Sequence, residues 1–256
     1  MKNILLFLLF LIPFSFNSYA TIEIDITEGN REPLPIAITN FFHDGSEKIT
    51  NTDLPSKISG VIQNDLESTG LFNSIDEKAF IQENKSLHLK PRFADWRLIN
   101  SQGLVTGDLK IEDDRLKVEF RLWDTLAEKE IEGLVLITTP DNWRRISHMI
   151  ADKIYERLTG EEGYFDTRIV YVAEEGPKNN RVKKLAIMDQ DGANHKFLTS
   201  GKELVLTPRF NPVRQEITYL SYFKNLPRVY LLNIQTGIQE VVGDFPGMTF
   251  APRFSP

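Results

Sequence analysis

Thr207-Pro208-Arg209-Phe210-Asn211-Pro212 returns 44 residues later as Ala251-Pro252-Arg253-Phe254-Ser255-Pro256. The spacing around the two copies returns as well. Asp189 stands 21 positions before Phe210, and Asn233 stands 21 positions before Phe254. Ile169-Val170-Tyr171 matches Ile217-Thr218-Tyr219 at an offset of 48. The four extra positions fall between Ala173 and Lys184, where residues 174–181 are polar and contain Gly and Pro, the composition of a hairpin tip. Short strand-like runs fill the space between the anchors, at 169–172, 185–188, 196–198, 217–220, 229–232 and 240–242. A period of about 40–45 residues with four short strands per unit is the pattern of a β-propeller blade.

Two blades do not close a ring, because propellers have at least four. The first unit also lacks a Pro-Arg-Phe strand ahead of Ile169, whereas Ile217 has one. Closed propellers often complete such a blade with a strand from the far C-terminus. The expectation is an incomplete propeller belonging to a longer protein, with an unpaired edge near residues 249–254. A third Pro-Arg-Phe, at Pro91-Arg92-Phe93, has flanks that match neither copy and reads as chance.

Upstream of residue 166 the periodicity changes. Ile22, Ile24 and Ile26 alternate with Glu23 and Asp25, a period-2 strand, and residues 34–42 form a mostly apolar run. Asp53-Leu54-Pro55 opens a helix with Asp53 as its cap; Ile58, Val61, Ile62 and Leu66 share one face and Gly70 ends it. Residues 104–111 and 115–123 read as a hairpin about Asp113-Asp114, and 129–138 as its third strand. Asp141 then caps a second long helix with Trp143, Ile146, Ile150 and Ile154 on its apolar side, ended at Thr159-Gly160. The fold class is an N-terminal α/β domain, two long helices on a mixed sheet, followed by an incomplete all-β propeller. The expected boundaries are 1–20, 21–166 and 167–256.

Residues 1–20 are an address. Lys2 precedes an apolar run over 4–11, Pro13 interrupts its continuation, and Ser18-Tyr19-Ala20 is a small-x-small cleavage signal. The run is shorter than the ~20 residues of a spanning helix. Cleavage after Ala20 leaves a mature chain that starts at Thr21 and is exported.

The 256 residues carry 41% hydrophobic and 26% charged residues, the balance of a globular protein. A net charge of −6 argues against a general nucleic-acid binder. The absence of cysteine excludes disulfides, thiol catalysis and cysteine metal sites. The sequence contains no G-x-S-x-G elbow, phosphate-binding loop, H-E-x-x-H or G-x-G-x-x-G. His43, His88, His148 and His195 have no ligand spacing and read as surface or packing residues. Asp189-Gln190-Asp191-Gly192 begins like a calcium loop but lacks its later ligands, so it reads as a blade turn. Trp96, Trp123 and Trp143 read as core, and the adjacent acids Asp113-Asp114 and Glu161-Glu162 are not a pair held across a cleft. No catalytic residue, metal ligand or cofactor is expected. Binding surface remains, and the alternating strand at the mature N-terminus can pair with its own sheet or add to a partner's edge.

Several segments carry a family resemblance. They are Leu66-Glu67-Ser68-Thr69-Gly70-Leu71-Phe72, Trp96 with Leu104-Val105-Thr106-Gly107, and the run from Ile150-Ala151-Asp152-Lys153-Ile154-Tyr155 through Leu158-Thr159-Gly160-Glu161 to Thr167-Arg168-Ile169-Val170-Tyr171-Val172. With the leader and the repeats in this order, the whole mature chain resembles the TolB family, periplasmic components of the Tol–Pal system. It departs from the family in reading Phe before Asn-Pro and Ser-Pro where Trp is more usual, and in lacking most of the propeller. The resemblance implies a non-enzymatic, periplasmic scaffold, monomeric when full length. It would bind Pal through the propeller, mainly on blades this chain lacks, and TolA through the mature N-terminus, in outer-membrane invagination and envelope integrity. Carried onto this chain, the TolA-binding segment is Thr21-Ile22-Glu23-Ile24-Asp25-Ile26-Thr27-Glu28-Gly29-Asn30. Rival readings are an exported propeller-containing peptidase, or a ligand-binding propeller, with its site beyond Pro256.

Overall fold

The computed structural model describes residues 21–24, 32–43, 53–82, 90–223, 226–243 and 251–255. The chain forms two compact units that divide between Gly163 and Tyr164. Among the described residues no helix is long and apolar enough to cross a membrane.

In the first unit the elements run β1 (Leu34–Ile38), α1 (Leu54–Ser68), β2 (Phe72–Ser74), α2 (Phe93–Leu98), β3 (Gly103–Glu112), β4 (Arg115–Asp124), β5 (Lys129–Thr138) and α3 (Trp143–Thr159). The sheet order is β2-β1-β3-β4-β5, parallel on the β2-β1-β3 side and antiparallel from β3 to β5. Alternation along β4 sends Leu116, Val118, Phe120 and Leu122 inward, and all four are fully buried. Ile58, Ile62 and Leu66 of α1 and Ile146, Ile150, Ile154 and Leu158 of α3 are buried at intervals of four. The two helices touch each other; α1 also meets β1 and β2, and α3 meets β4 and β5. Each such side chain taken from water is worth roughly 1.5–3 kcal/mol. One step out of phase, Ala37, Leu104 and Trp123 form a smaller cluster on the opposite face with Phe93 and Trp96 of α2.

Two glycines are dictated by their surroundings. A Cβ on Gly107 would lie 2.1 Å from the Phe41 ring, so the ring can seat only on a bare backbone. Gly160 ends α3 at φ 76°, its N–H donating to the Glu156 carbonyl at 2.9 Å. The hairpin at Asp113-Asp114 forms as expected, with both residues at positive φ (50° and 58°), the signature of a type I′ turn.

Several local readings are corrected. The apolar run over 34–42 is a strand only as far as Ile38, with one isolated bridge from Phe42 to Asp108. Asp53 precedes α1 without a side-chain cap; its carbonyl instead accepts from Ser56 and Lys57. Asp141 does not cap α3, because a 3₁₀ turn over Pro140–Asn142 intervenes and Asn142 takes the flanking position. The strand β2 and the helix α2, too short for a periodic signal, were not expected. Pro91-Arg92-Phe93 leads into α2 and has no place in the repeats.

The second unit is all-β. Strands β6 (Arg168–Glu175), β7 (Val182–Asp189) and β8 (Lys196–Phe197) form one antiparallel sheet. Strands β9 (Val205–Phe210), β10 (Glu216–Phe223), β11 (Leu226–Asn233) and β12 (Gln239–Val241) form another, in the order β12-β11-β10-β9. Leu185, Ile187, Val205, Ile217, Tyr219, Leu232 and Ile234 make the core between them. The repeat is written in the backbone too. Thr207 and Ala251, equivalent residues before Pro, both have positive φ (49° and 43°). Thr207-Pro208 sits at a register shift against β10, so the proline occupies a bulge and not a regular ladder position. Residues 251–255 form no strand, so 251–254 of the expected edge are not a strand, and 249 and 250 lie outside the described residues.

Candidate partner-binding site

The site begins with a buried carboxylate. Asp124, at the end of β4, is 1% exposed, and both its oxygens accept main-chain bonds. Oδ1 takes the N–H groups of Leu126 (2.9 Å) and Ala127 (2.8 Å), closing the turn into β5. Oδ2 takes the N–H of Ile22 at 3.0 Å, across 102 residues of sequence. Two residues on, the N–H of Ile24 donates to the carbonyl of Leu158 at 2.6 Å. Leu158 lies in the last turn of α3, where helix carbonyls have no partner in their own helix. The N-terminal segment thus satisfies one orphan acceptor of α3 and one buried carboxylate oxygen.

This geometry corrects the expectation of a strand from Ile22 to Ile26. Residues 21–24 join no sheet, because the N–H groups of Ile22 and Ile24 go to a side chain and a helix end and not to a neighbouring strand. The alternation nonetheless sorts the side chains: Ile22 and Ile24 are half-buried, Thr21 and Glu23 exposed. Asp25, Ile26, Thr27, Glu28, Gly29 and Asn30 lie outside the described residues.

Beside the segment is a pocket of about 330 Å³, lined by Glu23, Ile24, Glu132, Lys153, Arg157 and Gly160 among others. Lys153 donates to Glu156 at 2.7 Å. That hydrogen bond, the Glu156 charge and, more weakly, Glu132 hold the lysine above its usual range against a small desolvation effect. Arg157 donates from Nε to the Ile131 carbonyl at 3.0 Å, tying α3 to β5. The lining therefore mixes both charges, with Ile24 as its one large apolar side chain.

The family model for the TolB amino-terminal domain matches residues 22–131, and that for the TolB beta propeller domain matches residues 155–256. The chain belongs to the TolB family. It is 61% identical over 252 residues to the Tol-Pal system protein TolB of Pelagibacter ubique (strain HTCC1062), covering 96% of this chain and 56% of that relative. It also resembles the crystal structure of TolB from Acinetobacter baumannii, with a TM-score of 0.74 and 28% identity, over 92% of this chain and 55% of that one. The chain thus spans about half the length of these relatives. The match to the family's amino-terminal domain begins at Ile22, so the docked segment belongs to that domain and the repeats to its propeller.

The other residues singled out by sequence have structural neighbours. His148 is buried on α3 and meets Asp65 of α1 through Nδ1 and Oδ2 at 2.6 Å, a polar tie between the two long helices. His195 packs edge-on against Phe197, and His43 lies 3.3 Å from the Leu109 carbonyl. His88 lies outside the described residues. Gly192 takes φ 86° in the Asp189-Gln190-Asp191-Gly192 turn, and its N–H returns to the Asp189 carbonyl. Trp96 and Trp123 are core residues; Trp143 is half-buried under the Arg144 guanidinium. Sequence reading missed Asp124 and Leu158. The run Asp124-Thr125-Leu126-Ala127 does carry an Asx-turn signal, but a contact 102 residues away leaves no local trace.

Proposed function

We propose that this chain acts as a non-enzymatic periplasmic scaffold of the Tol–Pal system. In this reading residues 1–20 are removed after Ala20, residues 21–30 engage TolA, and the propeller part contributes to contact with Pal. The scaffold would link the two during outer-membrane invagination and in maintaining the envelope, without a cofactor. The observation that carries the reading is the docking of Ile22 and Ile24 by two main-chain hydrogen bonds at the surface of the family's amino-terminal domain. Of the two bonds made by the described residues, that to the Leu158 carbonyl is worth about 0.5–1.5 kcal/mol net and that to the Asp124 carboxylate about 1.5–3, and a partner's edge can offer donors in their place. Membership of the family and the name of the 61% identical relative support the assignment to this system.

A pull-down with immobilised TolA tests it. Wild-type chain is expected to be retained, and a chain lacking residues 22–27 to be lost from the beads while keeping its circular dichroism spectrum. Unchanged retention of the deleted chain contradicts the assignment of the segment.

A further inference from the structure

A second pocket, of about 420 Å³, lies wholly within the propeller unit, between the β9–β12 sheet and the chain that follows β8. Thr199, Glu203, Tyr219, Ser221, Tyr230 and Gln239 line it. Nothing in the scaffold reading uses it. Tyr219 of β10 and Tyr230 of β11 face each other in register, and their rings stack at 5.7 Å with 25° between planes. The Tyr219 hydroxyl donates to Gln239 Oε1 at 3.0 Å, which fixes the ring.

The electrostatics of the lining are one-sided. Among the described residues Glu203, half-buried, is the only charged residue of the lining, which includes no lysine, arginine or histidine. The Tyr219 hydroxyl is pushed up to about 12, by burial first and then by Tyr230 and the Glu203 charge, so the carboxylate acts on the aromatic wall. Nearby Lys184 does not fill the space: it lies over Phe197 at 4.4 Å and bonds Glu175 at 2.7 Å. An anion entering here meets a carboxylate and the negative face of the half-buried Tyr230 ring. A neutral ligand desolvates Glu203 without replacing its lost water. A cation gains from both the ring and the carboxylate. A guanidinium gains most, being flat, weakly hydrated and able to stack on tyrosine while bonding a carboxylate.

We propose that this pocket receives a cationic side chain of a partner polypeptide, an arginine foremost, stacked on the half-buried Tyr230 ring, which the buried Tyr219 backs, and paired with Glu203. The site is separate from the N-terminal segment, so its test stands or falls apart from TolA binding.

The experiment titrates the full chain with N-acetyl-arginine amide, its neutral isostere N-acetyl-citrulline amide, and methyl glucoside, following heat and the tyrosine-ring resonances. The arginine probe is expected to bind saturably, to shift Tyr219 and Tyr230, and to weaken with added salt. The citrulline probe is expected to bind at least about tenfold more weakly. Glu203→Gln should lose about tenfold for arginine with its amide spectrum otherwise retained, and Tyr222→Phe, outside the pocket, should lose nothing. Absence of saturable arginine binding, equal binding of the citrulline probe, tighter binding of the glucoside, or indifference to Glu203→Gln each overturns the proposal.

Discussion

Strands β4 and β12 carry the contrast between the two units. β4 runs ten residues through the middle of its sheet and buries Leu116, Val118, Phe120 and Leu122 completely. β12 is three residues long, and all three are exposed. Both belong to largely antiparallel sheets, so pairing alone does not account for the difference. The first unit is closed by α1 and α3, whose apolar faces cover the sheet. The second unit has only sheet to set against sheet, and each blade seals its neighbour. It keeps large apolar side chains in solvent on its edge strands, Ile169 on β6 and Val241 on β12, and at the β10–β11 hairpin end, Phe223 and Leu226. The first unit is not free of such residues, since Val135 and Ile137 on its edge strand β5 are exposed too. Its core does not depend on them. A helix-covered sheet is sealed within its own unit, whereas a blade is sealed by the blade beside it.

A matched pair of substitutions probes this most strongly. Phe120→Ala, at a fully buried ring, is expected to cost about 3–5 kcal/mol. Phe223→Ala, at a ring 46% exposed, should stay near ±0.5 kcal/mol. All three tryptophans lie in the first unit, so tryptophan fluorescence during denaturant unfolding reads the Phe120 variant, and the far-ultraviolet signal of the all-β second unit reads the Phe223 variant. Equal costs for the two substitutions would break the contrast. Next in size is Gly107→Ala, where the added methyl collides with the Phe41 ring; a loss of about 1–3 kcal/mol is expected in the same assay.

A smaller effect belongs to the blades. The unfolded chain loses a tyrosine proton near 10, while folded Tyr219 keeps its proton to about 12. The stabilising difference is fully present below pH 10 and is lost as pH rises through about 12, because the unfolded state sheds its proton first. Far-ultraviolet melts between these values should show the second unit weakening, and Tyr219→Phe should remove that part of the slope. The same variant gives up the bond to Gln239, a loss of about 0.5–1.5 kcal/mol at neutral pH. Smallest of all, Val241→Ala on the exposed β12 should leave the unfolding midpoint unchanged within about 0.5 kcal/mol.

The sequence revealed long, periodic elements well. The hairpin at Asp113-Asp114, both long helices and the blade strands follow from alternation, turn chemistry and the Pro-Arg-Phe repeat. Short elements were hidden: three residues in β2 and six in α2 give no period to read. Caps failed where a turn intervened, as the 3₁₀ segment before α3 displaced Asp141. The candidate site was half legible. Ile22 and Ile24 stood out by alternation, yet alternation states which side chains share a face and not what the backbone bonds to. The acceptors that decide it, Asp124 and the Leu158 carbonyl, come from distant parts of the chain and can be seen only in the fold.

Residues 21–30 are proposed as the TolA-binding epitope. A synthetic peptide of that sequence, added in competition with the intact chain for immobilised TolA, measures this directly. Displacement of the chain in proportion to peptide concentration, with a scrambled peptide inert, is the predicted result. Full retention of the chain at saturating peptide, or equal displacement by the scrambled control, would contradict it.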